Sequence, residues 1–167
     1  ADEPGLRSGA REGDTVCVTG TLGRSGAALR LFAAGDTERA NELFRFTPRT
    51  TAGRALAGAA TAMIDSSDGL ARSVHQLAAA SDCGVALESP LPIDEAVSEV
   101  TGDEAECREL GVFFGEDFEL VCTIPPERLS AVRADLTAPL TRLGTVTESG
   151  VTLDGELLPD RGYTHGE

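Results

Sequence analysis

Two short acidic segments carry the residue types best suited to handling a metal ion and a phosphate. The first is Met63-Ile64-Asp65-Ser66-Ser67-Asp68-Gly69-Leu70, where two carboxylates three positions apart mark the change from an apolar run to an amphipathic one. If a strand ends there and a helix begins, Asp65 and Asp68 can both point into the space beyond the strand end. Mg²⁺ takes hard oxygen ligands, commonly one or two carboxylates together with phosphate oxygens and water. A helix start adds unpaired N–H groups that favour an anion, and Ser67 adds a hydroxyl. The plainer reading makes Ser67 or Asp68 a helix cap, Asp65 a strand end and Gly69 a point of backbone tolerance. The two readings are compatible, because a cap can also line a site.

The second segment, Gly115-Glu116-Asp117-Phe118-Glu119-Leu120, puts three carboxylates around one aromatic at the entrance to an apolar run. If the strand already runs this early, alternation sends Asp117 and Glu119 to one side and Glu116 and Phe118 to the other. A carboxylate at a strand mouth can bind a metal or accept a hydrogen bond from a substrate amine; in an acidic chain the plainer reading is a solvated cluster. Near the end, Gly162-Tyr163-Thr164-His165 contains the sole tyrosine. Its ring can cover a flat or cationic ligand, or simply staple the tail to the domain. His75 reads as a helix-surface residue, and His165 carries no signal of its own. Gly20 to Gly26 is Gly-rich, but it lacks both the Gly-Lys-Ser/Thr ending of a P-loop and the Gly-x-Gly-x-x-Gly spacing of a dinucleotide site, so it reads as a tight turn.

Periodicity locates the elements that must position these residues. Thr15–Thr19 is β-branched and apolar between glycines and reads as a buried strand. Helical spacing follows over 25–34 and 52–59, and 61–65 reads as a short strand. The clearest helix starts at Ser67-Asp68, shows Leu70, Val74, Leu77 and Ala78 on one face, and stops near Ser81-Asp82. Further strands are expected over 85–87 and 118–124, with helices over 94–100, 104–110 and 127–136. Segments 143–147 and 151–158 resemble the arms of a hairpin around Glu148-Ser149-Gly150, and 160–167 reads as an exposed tail. Mixed, non-alternating strands and helices favour an α+β layered domain over a doubly wound sheet.

Composition bounds the rest. At 167 residues and 41% hydrophobic, the chain is long enough for one core, so one domain is expected. The absence of a long apolar run or a leader-like N-terminus reads as soluble and unexported. The sequence begins at Ala1 without Met and enters structured-looking material near Glu12, so an upstream segment is expected. Cys17, Cys83, Cys107 and Cys122 show no Cys-x-x-Cys pairing and read as free thiols in a reducing compartment. The 28 acidic residues against 14 basic ones give a net charge of −14, and every basic residue is Arg. Such a surface disfavours nucleic acid and anionic membranes as partners. Salt near 1 M, with a Debye length of roughly 3 Å, screens that self-repulsion; a halophile's cytoplasm fits, as does an acidic mesophilic protein from an Arg-favouring genome.

In their order along the chain, Gly13-Asp14, Val18 to Gly23, Asp65 to Leu70, Gly115 to Leu120 and Gly162 to His165 resemble the C-terminal half of thiamine-monophosphate kinases. The resemblance spans nearly the whole chain and is most specific at Asp65 to Leu70. Relatives of the same fold, aminoimidazole ribonucleotide synthetase, selenophosphate synthetase and the hydrogenase-maturation carbamoyl dehydratase, carry Thr-Gly-Gly-like residues there. The family usually has Gly-Gly before Glu-Asp and Tyr after it, where this chain has Phe114 and Phe118. An aromatic usually follows near the tail end, where this chain has Gly166-Glu167.

The resemblance implies a cytoplasmic two-domain enzyme that transfers the γ-phosphoryl of ATP to thiamine monophosphate with Mg²⁺, giving thiamine diphosphate. Residues 1–167 would be the C-terminal domain, an α+β fold with α/β/α layers and a mixed sheet like that of aminoimidazole ribonucleotide synthetase-related proteins. The N-terminal domain, which carries most ATP and metal contacts and mediates dimerisation in the family, would be absent. It further implies Mg²⁺ at Asp65 and Asp68, ATP at Ser67, and the thiamine moiety at Glu116 and Tyr163. Two alternatives stay open: a non-catalytic binding or assembly module of the same fold, and a related ATP-using enzyme with a different acceptor.

Overall fold

The computed structural model describes residues 5–162. A seven-stranded sheet forms its spine. The strands are β1 (Thr15–Thr19), β2 (Ala62–Asp65), β3 (Gly84–Leu87), β4 (Leu120–Ile124), β5 (Leu140–Thr147), β6 (Val151–Leu153) and β7 (Glu156–Leu157). They lie in the order β2-β4-β1-β5-β3-β6-β7. Every pairing is antiparallel except β3 with β6. The α+β class and mixed sheet expected from the sequence are therefore present.

The helices are α1 (Arg24–Ala33), α2 (Thr37–Phe44), α3 (Thr50–Ala57), α4 (Leu70–Ser81), α5 (Glu95–Val100), α6 (Glu104–Arg108) and α7 (Leu129–Asp135). Strand alternation divides the core between the two faces of the sheet. Val16, Val18 and Val121 face α4, whose Leu70, Val74 and Leu77 are almost fully enclosed. Cys17, Cys122 and Ile124 face the opposite way, against Leu56 of α3 and Val132 of α7. A third cluster joins α1, α2 and α5 through Ala27, Ala28, Leu43 and Val97. Cys17 and Cys122 are directly paired across β1 and β4 as free thiols. Burial raises both thiol pKa values, that of Cys17 to about 11.

Four elements differ from the sequence expectation. α2 was not expected; Asp36 caps it by accepting from the Arg39 N–H, and only Ala40 and Leu43 of its residues are buried. α4 begins at Leu70, with Gly69 at its N-cap and no side-chain cap, so Ser67 and Asp68 form a turn that precedes the helix. β4 begins at Leu120, leaving 115–119 as loop.

The fourth difference is that β5 and β6 are not a hairpin, because β3 lies between them. The Glu148-Ser149-Gly150 turn crosses over the start of β3, where the Val85 N–H donates to the Gly150 carbonyl. A true two-residue hairpin turn follows at Asp154-Gly155, both at positive φ, and joins β6 to β7.

The crossing needs glycine at position 84. A Cβ there would lie 2.3 Å from the Ser149 carbonyl carbon and 2.5 Å from the Gly150 oxygen. Gly84→Ala is expected to destabilise the fold by about 1–3 kcal/mol, as other overpacked sites do. Gly58→Ala is the control: it sits at φ −85 with nothing within 4 Å of a new Cβ, and should be neutral or slightly stabilising. Urea unfolding of the two variants checks this; equal effects would contradict the crossing geometry.

Candidate active-site wall

The two acidic segments meet because β2 and β4 pair. Asp65 is opposite Leu120, and the ladder continues past both strands. The Ser66 N–H donates to the Glu119 carbonyl at 2.8 Å, and the Glu119 N–H donates to Ser66 Oγ at 3.2 Å. One step further, the Glu116 N–H donates to the Ser67 carbonyl at 2.8 Å. Gly115 permits this approach: at φ +86, a Cβ on it would stand 2.5 Å from the Ser67 oxygen and 2.7 Å from the Gly69 nitrogen. The tail arrives at the same turn, since a Cβ on Gly162 would fall 2.1 Å from the Asp68 carbonyl oxygen. Its approach is held by His75 Nε2 against the Leu158 carbonyl at 2.8 Å and by paired bonds from Arg161 to Glu109.

The carboxylates fall into two groups with different work. Asp117 is buried and accepts from the Gly23 N–H at 2.6 Å and the Ser25 N–H at 3.0 Å, at the start of α1. It occupies the anion position that the Gly20 to Gly26 turn creates, so that turn holds a carboxylate of its own chain. Glu119 is also buried; it accepts from Thr19 Oγ1 and, at 2.7 and 2.8 Å, from Nε and Nη2 of the Arg49 guanidinium. That forked geometry fixes the 45–49 segment against the site.

Asp65, Asp68 and Glu116 form the second group. Asp65 and Glu116 are exposed and Asp68 is half-buried. Their backbones are engaged: Ser73 Oγ donates to the Asp65 carbonyl and Ser25 Oγ to the Glu116 carbonyl. Among the described residues, the three carboxylates and the Ser67 hydroxyl have no hydrogen-bond or ion-pair partner. No group of three or more metal-ligating side chains occurs among the described residues. Unpartnered hard oxygens on adjoining turns nevertheless suit a hydrated divalent cation that takes only one or two ligands from this chain. Tyr163 and His165 lie outside the described residues.

The backbone at the second segment is unusual. Gly115, Glu116 and Phe118 all have positive φ, the last two at 60 and 53. Left-handed non-glycine residues are uncommon and concentrate where a fold holds side chains for a purpose. Here the conformation turns Glu116 and Phe118 toward one cavity, of about 170 Å³, which Phe44, Phe46 and Phe114 also line. Asp117 and Glu119 face the neighbouring cleft with Arg24 and Arg49. The sidedness expected for a strand is kept, although the backbone is a loop. The aromatic contribution of Phe44, the last residue of α2, and of Phe46, two residues beyond it, was not anticipated.

The fold and site define the class: residues 11–155 match the family model described as AIR synthase related protein, C-terminal domain, and the chain belongs to that family. Within it, the chain is similar to thiamine-monophosphate kinases. It is 59% identical to that of Halobacterium salinarum over 168 residues, 99% of this chain and 57% of the relative. The crystal structure of thiamine-monophosphate kinase from Stenotrophomonas maltophilia superposes with a TM-score of 0.82 at 33% identity, over 92% of this chain and 54% of that one. AaThiL complexed with AMPPCP and TMP gives 0.81 at 32%, over 95% and 53%. The chain thus spans about half the length of the relatives it matches. No helix among the described residues is long and apolar enough to cross a membrane.

Asp117 makes a pH prediction. Burial raises its pKa from 3.8 to about 6, and the Gly23 and Ser25 N–H groups only partly offset this. Between those values the native state keeps a proton that the unfolded chain has released, so this group's contribution to stability falls as pH rises from about 4 to about 6. Asp117→Asn lacks the titration. The unfolding free energy of the wild type relative to this variant should decline across that window; a difference independent of pH would contradict it.

Proposed function

We propose that this chain is the C-terminal domain of a thiamine-monophosphate kinase, which transfers the γ-phosphoryl group of ATP to thiamine monophosphate. The observation that carries the reading is the joining of the Asp65–Asp68 turn to the Glu116 turn, with their carboxylates unpartnered among the described residues, in a chain 59% identical to such a kinase. A relative that binds AMPPCP and TMP supports both substrates. Asp65 and Asp68 would hold Mg²⁺, Ser67 would contact ATP, and Glu116 and Tyr163 would meet the thiamine moiety. Bound Mg²⁺ supplies neutralisation of the charge on the transferring group. Phosphoryl transfer asks the protein mainly for positioning and electrostatic stabilisation, so acidic turns suffice without a lysine.

The remaining half of the active site would come from an N-terminal domain, and the full-length enzyme would be a homodimer in the cytoplasm of a salt-adapted cell. By itself the 167-residue chain would show little or no turnover.

In the full-length protein, Asp65→Asn and Asp68→Asn are each expected to lower kcat by on the order of 10²-fold, with a raised Mg²⁺ requirement in steady-state titrations. An unchanged Mg²⁺ dependence would return both residues to a purely structural role. Glu116→Ala is expected to raise KM for thiamine monophosphate more than KM for ATP; equal rises would count against the substrate assignment.

A further inference from the structure

Residues 158–162 lie as a strap across α4 and the π-helical turn Glu109–Phe113. On the α4 side, His75 Nε2 donates to the Leu158 carbonyl at 2.8 Å. Arg72, three residues earlier and so on the same helix face, pairs with Asp160; its Nε is 2.7 Å from Oδ1, an ion pair without hydrogen-bond geometry. Gly162 then rests on the Asp68 turn, where a Cβ would overlap the Asp68 carbonyl oxygen. The strap thus climbs α4 toward its start, meeting His75, Arg72 and Asp68 in turn.

On the other side, Arg161 reaches the π-helical turn. Its Nη1 and Nη2 donate to the two Glu109 oxygens at 2.8 and 2.7 Å, and its guanidinium carbon sits 3.9 Å from the centre of the Phe113 ring. The Phe113 carbonyl closes in turn on Gly69, the residue after Asp68: at φ +97, a Cβ there would stand 2.7 Å from the Phe113 oxygen. The same π-helical turn leads through Phe114 to Gly115 and Glu116. π-Helical turns are rare and concentrate at functional sites. One arginine therefore joins the strap to the segment that backs both acidic turns, a second tie between them besides the β2–β4 ladder. The Arg161 and Glu109 side chains are 53% and 45% exposed, and a pair so exposed contributes little to stability. Its forked geometry fixes position instead.

We infer that Arg161 is a positioning residue for the metal ligand Asp68. By pinning the strap to Glu109 and Phe113 it seats Gly162 on the Asp68 carbonyl, and so holds the turn that presents the Asp68 carboxylate to the cation. This rests on the proposed kinase function, under which Asp68 holds Mg²⁺. Arg161 itself touches neither the metal nor a substrate.

The test uses the full-length enzyme with a non-hydrolysable ATP analogue and reads Mn²⁺ binding by electron paramagnetic resonance, with KM for thiamine monophosphate measured in parallel. Asp68→Asn identifies the Mn²⁺ site concerned. Arg161→Ala, and Gly162→Ala, whose Cβ would lift the strap from Asp68, should each weaken that site about tenfold, the loss typical when a residue orienting a metal ligand is removed. Arg161→Lys, which keeps the charge without the fork, should recover part of the loss. Arg142→Ala, which breaks a comparably exposed pair with Glu88, should leave Mn²⁺ binding unchanged, and its thermal unfolding should match that of Arg161→Ala.

A rise in KM for thiamine monophosphate with unchanged Mn²⁺ binding would overturn the inference and leave the strap as an anchor for the tail alone. No change in either quantity, or equal weakening by Arg142→Ala, would overturn it too; in all these cases the kinase function stands. If Asp68→Asn removes no Mn²⁺ site, the metal assignment and the inference fall together.

Discussion

The antiparallel pairing of β2 with β4 is the constraint on which the site depends. It brings Ser66 against Glu119, residues 53 apart in sequence, and the ladder's last bonds join the two turns beyond the strand ends. Gly115 is then obligatory, because the Ser67 carbonyl occupies the space a side chain would need. The turn at 66–69 is thus part of the sheet's edge rather than the first turn of α4. That placement explains why Ser67 and Asp68 are free of capping duty and why Asp65 and Asp68 are presented to solvent together.

A second consequence concerns charge. The chain carries a net charge of −14, and most of its ion pairs lie on the surface, where such pairs contribute little to stability. Arg49–Glu119 differs, with side chains only 19% and 10% exposed and forked geometry. Desolvating that pair is costly, and its return is positional: it ties the irregular 45–49 segment to the acidic loop. Asp117 does the same for α1 through two backbone N–H groups. The acidic loop is therefore held from behind by its two buried carboxylates, which leaves the third, Glu116, facing outward.

Local pattern revealed much of this, and its failures were physical. β1 was legible because its five residues are β-branched or apolar throughout, and α4 because Leu70, Val74 and Leu77 repeat at helical spacing. α2 escaped because it buries only two residues; its Asp36 cap was the one usable sign. The false hairpin at 143–158 arose because turn chemistry is local, whereas the insertion of β3 between its arms is a long-range pairing. Ser67-Asp68 looked like a cap because the same residue types serve caps and ligand turns. Likewise, Glu116, Asp117 and Glu119 are chemically alike in sequence, and only the partners of Asp117 and Glu119 separate anchors from the free carboxylate. The resemblance to thiamine-monophosphate kinases was legible because it depends on ordered motifs, which survive errors in element boundaries.

The most direct measurement is a crystal structure of the full-length protein with Mn²⁺ in place of Mg²⁺, a non-hydrolysable ATP analogue and thiamine monophosphate, with metals located by anomalous scattering. The expected result is Mn²⁺ density in contact with the Asp65 and Asp68 carboxylates and the thiamine ring beside Glu116. Metals bound wholly by other residues, with Asp65 and Asp68 left in solvent, would contradict the assignment of this chain as a wall of the active site.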